Sequence, residues 1–563
     1  MAIGNWIGID ETHYHDSCGD LAGHTATEML AVTDAWWHVV NEVHYLELDL
    51  GSQVLIPKMR FRGQACAAYA PTDVDIFVST DGATWGTAVA TGVNPFSYGA
   101  DWGEVDTTDK TGRYIRLEIN ATQDACNSYL IWGTAALPQI DVWCGALPQK
   151  FTTIVPLHSR QLTTTSSTYA PTDGSQGMIA WDGGKYSNII AAYLIGTGYR
   201  TGSSGGDPLP MWNMQLYDRT NSAEIGAVID NGITAETAIS SDVSANLPAG
   251  VATLDVRVKW RDAVSATGLN FYLVIVQEST ADNKTRIYIP MSAYSSRPTS
   301  TYKKLSGIGV GGVSEKQFKW LDASFGDTIA GAYFSATIEA NTASTFSAKL
   351  DAIGGSDAMG EVTTTNTVPT LVTSSDISSS LTDTTVYTTW IKATSARPST
   401  NDQIYNSYLI VDIEDLTKYL TVYDVANAGR NISTAGWTED KNQMVRYLTG
   451  TNWYTADITE VVTHSGVIAH FGDTSMGGSL YDDGVRNSTA DLSTVLSVPT
   501  LLESAAITPA DDSDIAIGLD LGSTGFFITG TVYDSKLMAY ISGIEATAEV
   551  GSIPLRMLMG VGI

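Results

Sequence analysis

Residues 44–63, HYLELDLGSQVLIPKMRFRG, decide how the front of this chain is read. Leu46, Leu48 and Leu50 alternate with Glu47 and Asp49, and Met59 and Phe61 alternate with Arg60 and Arg62. That is the period of a sheet with one buried face. Gly51-Ser52 supply turn chemistry and Pro57 edge chemistry, so the stretch is predicted to be a hairpin of two strands and a turn. Further strands follow. VDIFVSTDGATW (74–85) runs into a tight turn at Ser79–Gly82, GRYIRLEI (112–119) sets Ile115, Leu117 and Ile119 against Tyr114, Arg116 and Glu118, and PQIDVWCG (138–145) closes the series.

The 563 residues exceed what one hydrophobic core organises, so two to four domains are expected. With 26 Tyr, 14 Trp, abundant small polar residues and only 16% charged residues, the composition is that of an all-β chain rich in turns. A net charge of −30 opposes docking on phosphate backbones, which excludes nucleic acid as a partner. No apolar run is long enough for a membrane helix, so no membrane insertion is expected. The opening MAIGNWIGIDETHYHD lacks the basic and apolar regions of a secretion signal, which predicts assembly in the cytoplasm or exit by another route. Cys18, Cys66, Cys126 and Cys144 all fall in the first quarter with no Cys-x-x-Cys pair, compatible with two disulfides outside cells or with buried free thiols.

The four strand motifs, in this order and spacing, resemble the discoidin or coagulation factor 5/8 type C domain, close to the galactose-binding-like carbohydrate-binding modules. The resemblance covers residues 1–147. It implies a jelly-roll sandwich whose loops at one end bind glycans, lipid head groups or proteins. It also implies a disulfide joining the domain ends, here Cys18 with Cys144, leaving Cys66 with Cys126 as a second bridge outside the family pattern. Sugar-binding relatives hold a structural calcium with an early Asp-Gly, a following Thr-x-Trp and a late Glu. Here those regions read VTDAWWHVVNEV and Gln139, so no cofactor is expected.

AWWHVVNEVH contributes Trp36, Trp37, His38 and His44. Aromatic faces stack on sugar rings, while imidazole and guanidinium donors read hydroxyls. These four residues with Arg62, Tyr69 and Trp102 form the candidate binding rim, the alternative for Trp36 or Trp37 being a plug in the sandwich core. His13, His15 and Asp16 lack a spacing that singles out a metal site.

Internal similarity organises the remainder. Leu216-Tyr217-Asp218 precedes Asp242 in AISSDVSANL, Leu350-Asp351 precedes Asp376 in VTSSDISSSL, and Leu480-Tyr481-Asp482 precedes Ala506 in LESAAITPA, at one interval throughout. ATLDVRVKW, TTVYTTWIKA and SDIAIGLDL follow as equivalent strands, then FYLVIVQ, SYLIVDI and KLMAYIS. The expected fold is therefore all-β: a discoidin-like jelly roll over 1–147, then three tandem β-sandwich, jelly-roll-like repeats over 148–313, 314–430 and 431–563.

No Gly-x-Ser-x-Gly, His-Glu-x-x-His or phosphate-loop motif occurs, and His464 and His470 in HSGVIAHFGD lack the spacing of a helical zinc pair. The chain is expected to be non-enzymatic. A recognition domain fused to repeated sandwiches suggests a virion-surface structural protein, such as a capsid decoration, fibre or tail adhesin. It would assemble in the host cytoplasm and be extracellular afterwards, as a homo-oligomer or with other virion proteins, and would bind a cell-surface glycan. The alternative is a secreted bacterial carbohydrate-active protein carrying a carbohydrate-binding module.

Overall fold

In the computed structural model the described residues lie between 5 and 544. Outside them in the first part are 1–4, 10, 18–29, 31–35, 40–43, 63–70, 95–100, 123–128, 133–139 and 146–148; later come 202–211, 231–235, 260–264, 306–315, 395–401, 522–528, 545–563 and shorter connections. The chain divides into two compact units, one over Met1–Pro148 and one over Gln149–Glu545. Among the described residues no helix is long and apolar enough to cross a membrane.

The first unit contains β1 (Asn5–Gly8), β2 (Tyr14–Ser17), β3 (Trp36–Val39), β4 (His44–Phe61), β5 (Pro71–Ser79), β6 (Ala90–Val93), β7 (Gly103–Thr122), β8 (Tyr129–Trp132) and β9 (Ile140–Gly145). Its sheet runs β1-β9-β4-β7-β5-β6, with β2 also paired to β4, while β3 and β8 form a separate two-stranded ribbon.

The expected hairpin is corrected to one long strand. Both halves of β4 pair with β7, from His44↔Ile119 to Asp49↔Tyr114 and again from Val54↔Gly112 to Phe61↔Gly103. Residues 50–53 bulge out between the halves. Gly51 takes φ 78, and its N–H donates to Asp49 Oδ1 at 2.8 Å, so the glycine makes a local excursion rather than a reversal. Leu46, Leu48, Ile56, Met59 and Phe61 still share one core with Val74, Ile76, Ile115, Leu117, Ile140 and Val142.

The second unit holds three jelly rolls in succession. The first has eight principal strands, Lys150–His158, Met178–Asp182, Ile189–Thr201, Trp212–Asp218, Ala223–Asp230, Glu236–Ile239, Val251–Lys259 and Ser265–Glu278. Numbered within the roll, they form sheets of order 1-8-3-6 and 2-7-4-5, the double Greek key of a jelly roll. Roll 2 repeats both orders from Lys284–Ser292 to Gln403–Glu414, its second strand split into Lys303–Lys304 and Gln317–Lys319, and roll 3 repeats them from Lys418–Ala426 to Thr529–Ser542. A bulge recurs near the end of each first strand, at Pro156/His158, Pro290/Ser292 and Asp424/Ala426.

The repeat boundaries differ from those expected. Lys284–Ser292 pairs with Gln403–Glu414, and Lys418–Ala426 pairs with Thr529–Ser542. The connections therefore lie between Glu278 and Lys284 and between Glu414 and Lys418. The first strand of a jelly roll pairs with its last, so limits drawn from similarity among middle strands left two first strands in the preceding copy.

The recurring Ser-x-Asp has a structural explanation. Asp242 Oδ1 accepts from the N–H of Ala192 (2.9 Å) and Ser244 (2.9 Å), and Asp376 Oδ1 from those of Ala332 (3.0 Å) and Ser378 (2.9 Å). Ser240, Ser374 and Ser504 accept from the N–H of Leu194, Phe334 and His464. In rolls 1 and 2 these side chains continue strand pairing where the sixth strand has ended, and the bonded N–H groups lower the aspartate pKa values. Roll 3 has Ala506 there, and its sixth strand instead pairs on to Ile507.

Candidate functional site

The outward face of the first unit's sheet carries the chemistry. Alternation along β4 sets Lys58 and Arg60 opposite the buried Met59 and Phe61; the same alternation on β9 sets the buried Asp141 and the half-buried Trp143 on the face of Lys58 and Arg60. Pairing aligns Trp6, Trp143 and Lys58 in one row and Asp141, Arg60 and Glu104 in the next.

The result is a ladder of cations and indoles. Lys58 Nζ lies 5.2 Å from the Trp6 ring centre and 5.3 Å from that of Trp143. The Arg60 guanidinium lies 4.3 Å from Trp6 and 4.5 Å from Trp102, and Arg62 lies 4.8 Å from Trp102. Trp6 and Trp143 meet edge to face at 5.3 Å. Arg60 Nε and Nη2 both donate to Asp141 Oδ2, at 2.7 and 2.5 Å, and Lys58 donates to Glu104 at 2.8 Å. Cation–π contact and charge-assisted hydrogen bonds thus fix three flexible side chains.

A second module of the same design occupies the other half of the face. Arg116 sits between Tyr45 (4.7 Å) and Trp85 (4.6 Å), and its Nε and Nη2 donate to Glu47 Oε1 at 2.8 and 2.5 Å. Glu47 is 3% exposed and also meets His15 Nδ1, at 2.9 Å. Beside it Arg113 donates two bonds to Asp49, both 2.7 Å, and holds that carboxyl below its usual pKa.

Of the residues named from sequence, Arg62 and Trp102 come together, joined by Arg60, Lys58, Trp6 and Trp143, which sequence reasoning missed. The missed signal was the period of two, Lys58-x-Arg60-x-Arg62 facing Asp141-x-Trp143. Trp36, Trp37 and His38 lie on β3, where Trp36 pairs in register with Trp132, Trp37 with Ile131 and His38 with Leu130. His44 opens β4 opposite Ile119. Tyr69 lies outside the described residues, as do Cys18, Cys66 and Cys126. The expected partner of Cys144, Cys18, is among those outside them; Cys144 itself is a thiol that packs against the core, where burial pushes its pKa up to about 11. His15 is engaged by Glu47 and Asp16 by the Tyr45 hydroxyl (3.1 Å), and no group of three or more potential metal ligands occurs among the described residues.

His464 is a core residue of roll 3. Its Nδ1–H donates to Ala490 O at 2.7 Å, its Nε2 accepts from Ser535 Oγ at 2.9 Å, and burial pulls its pKa down to about 4.

Comparison with known proteins addresses the first unit. Residues 19–132 match the F5/8 type C domain family. Among solved structures, the lectin domain of lectinolysin complexed with Lewis B antigen is 16% identical, with 24% of this chain and 96% of that chain covered and a TM-score of 0.20. A CBM32 module from a family 31 glycoside hydrolase of Clostridium perfringens is 13% identical, with 25% and 94% covered and a TM-score of 0.21. A pectin-binding carbohydrate-binding module is 20% identical, with 23% and 86% covered and a TM-score of 0.19. No curated protein matches. The order of the strand motifs and the family match over residues 19–132 agree that the first unit of this chain is an F5/8 type C, discoidin-like domain.

Proposed function

We propose that the protein is a non-enzymatic recognition protein that binds glycan through its F5/8 type C domain and carries that domain on a body of three jelly rolls. The observation behind this reading is the family match together with the ladder on the sheet's outward face. There half-buried Trp6, Trp102 and Trp143 stand beside Lys58 and the Arg60 guanidinium, which Asp141 holds. Pre-ordered donors and apolar edges recognise a sugar with little entropy left to lose. The proposed setting is a virion surface, as a capsid decoration, fibre or tail adhesin, where many copies turn weak single-site binding into avidity.

The test is a glycan array with the full-length protein, a Trp36→Ala/Trp37→Ala variant and a Trp102→Ala variant, each checked for folding by calorimetry. Binding by the native protein that falls tenfold or more in a folded variant supports the reading, and a blank array refutes it. Incubation with any polysaccharide bound tests the non-enzymatic part. Sustained release of reducing ends, abolished by a single carboxylate substitution, would make the protein a carbohydrate-active enzyme instead.

A further inference from the structure

The register of the three rolls identifies equivalent positions on their last strands. Asn270, Asn406 and Asp534 correspond, and two residues on so do Tyr272, Tyr408 and Lys536, facing Pro156, Pro290 and Asp424. On the second strands, Met178, Gln317 and Met444 correspond, preceded by Gly177, Lys316 and Gln443.

The first set meets the second across the junctions between rolls. Roll 1 reaches roll 3: Asn270 Nδ2 donates to Met444 O (2.5 Å) and Tyr272 Oη to Arg446 O (2.6 Å). Roll 2 reaches roll 1: Asn406 Nδ2 donates to Met178 O (3.3 Å) and Tyr408 Oη to Leu157 O (3.2 Å). Roll 3 reaches roll 2 with charge in place of neutral groups. Lys536 donates to Gln317 O (3.3 Å) and pairs with Asp534, while Asp424 pairs with Lys316, all four ionic side chains being buried. The contacts close a cycle.

We infer that the roll 3–roll 2 junction is an interaction surface whose chemistry excludes that of the other two, so that roll 3 seats on roll 2 of the same chain and not on roll 1. Seating roll 3 against Gly177 would leave Asp424 and Asp534 with Lys536 alone, one excess negative charge in the interior. Seating Asn406 and Tyr408 against Lys316 would bury an ammonium without a carboxylate. Both are strongly disfavoured, because a buried charge stripped of its partner keeps its full desolvation cost. The roll 2–roll 1 junction is close in its own way: a Cβ on Gly177 would come within 2.6 Å of Asn406 Nδ2 and 2.9 Å of its Cγ, so a side chain there would require Asn406 to shift.

The test uses the full chain. Lys316→Gly, Asp424→Pro, Asp534→Asn and Lys536→Tyr together write the roll 2–roll 1 chemistry into the roll 3–roll 2 junction. The expected result is a new species of doubled mass in light scattering, from rolls exchanged between chains, beyond whatever the native protein shows. A folded variant with the native mass distribution overturns the inference. A companion cycle decides the matter if that variant does not fold. Lys316→Met is expected to lower the melting midpoint by about 5 °C, and adding Asp424→Asn to recover at least half of the loss. Additive losses overturn the inference.

Discussion

His464 permits a prediction whose size follows from its surroundings. It lies on the Thr459–Phe471 strand, 1% exposed, with both ring nitrogens used by neutral partners. The fold needs the neutral ring, and burial lowers the folded-state pKa from the ordinary 6.5 to about 4. Because the folded value is depressed, the contribution is complete above the unfolded pKa. As pH falls below 6.5 the unfolded chain takes up a proton that the fold refuses, and the loss grows until the folded pKa is passed. Between pH 7 and pH 5 the linkage relation gives about 2 kcal/mol. Carboxylates titrate in the same range, so the measurement is a difference: urea unfolding of native protein and His464→Gln, each at pH 7 and pH 5. Gln keeps an acceptor near Ser535 and has no proton to gain. The native protein should lose about 2 kcal/mol more than the variant over that interval. Equal losses would mean that His464 is solvated or already charged in the fold, and the reasoning would fail.

Three further outcomes follow from other parts of the structure. Asp376→Ala removes the acceptor for Ala332 and Ser378 N–H and should destabilise roll 2 by about 1–2 kcal/mol in chemical unfolding, the cost typical of a lost cap. Gly112→Ala should destabilise the F5/8 type C domain by about 2 kcal/mol or more, because a Cβ there would lie 2.3 Å from Val78 Cγ1 and 2.9 Å from the Ser79 carbonyl oxygen. Arg116→Lys keeps the charge but loses the fork to Glu47 and the flat surface between Tyr45 and Trp85; a melting point lowered by several degrees would be expected from a cost of about 2 kcal/mol, and an unchanged one would show the module to be dispensable.

Strand alternation made the F5/8 type C domain legible in the sequence, since Leu46–Leu50, Val74–Val78, Ile115–Ile119 and Ile140–Val142 each bury one face. The path of β4 was not legible. Gly51-Ser52 reads equally as a hairpin turn or as a bulge, and only pairing of both halves with β7 distinguishes them. The ladder was half visible, because Arg62 and Trp102 stand out as single residues whereas Lys58 and Arg60 gain meaning only from strands far away in sequence. In the second unit the fourth, seventh and eighth strands of each roll were recognisable from Leu-Tyr-Asp and the apolar runs after it. The first strands, KFTTIVPLH, KTRIYIPMS and KYLTVYDVA, share little beyond an initial Lys, so their membership in each roll emerged only from hydrogen bonding to the eighth.

The second irregularity of β4 carries its own consequence. Ile56 pairs with Lys110 and Lys58 with Asp106, so Pro57 faces a three-residue excursion at Thr107–Asp109, where the buried Thr107 hydroxyl donates to Ile56 O at 2.5 Å. Leu46, Leu48 and Ile56 point inward from even positions, Met59 and Phe61 from odd ones. Pro57 is therefore a phase shift in the strand's reading frame. Deleting that one residue would restore a single alternation through both halves, with Ile56, Met59 and Phe61 still inward and Lys58 and Arg60 still outward, and would take away the residue that the Thr107–Asp109 excursion faces.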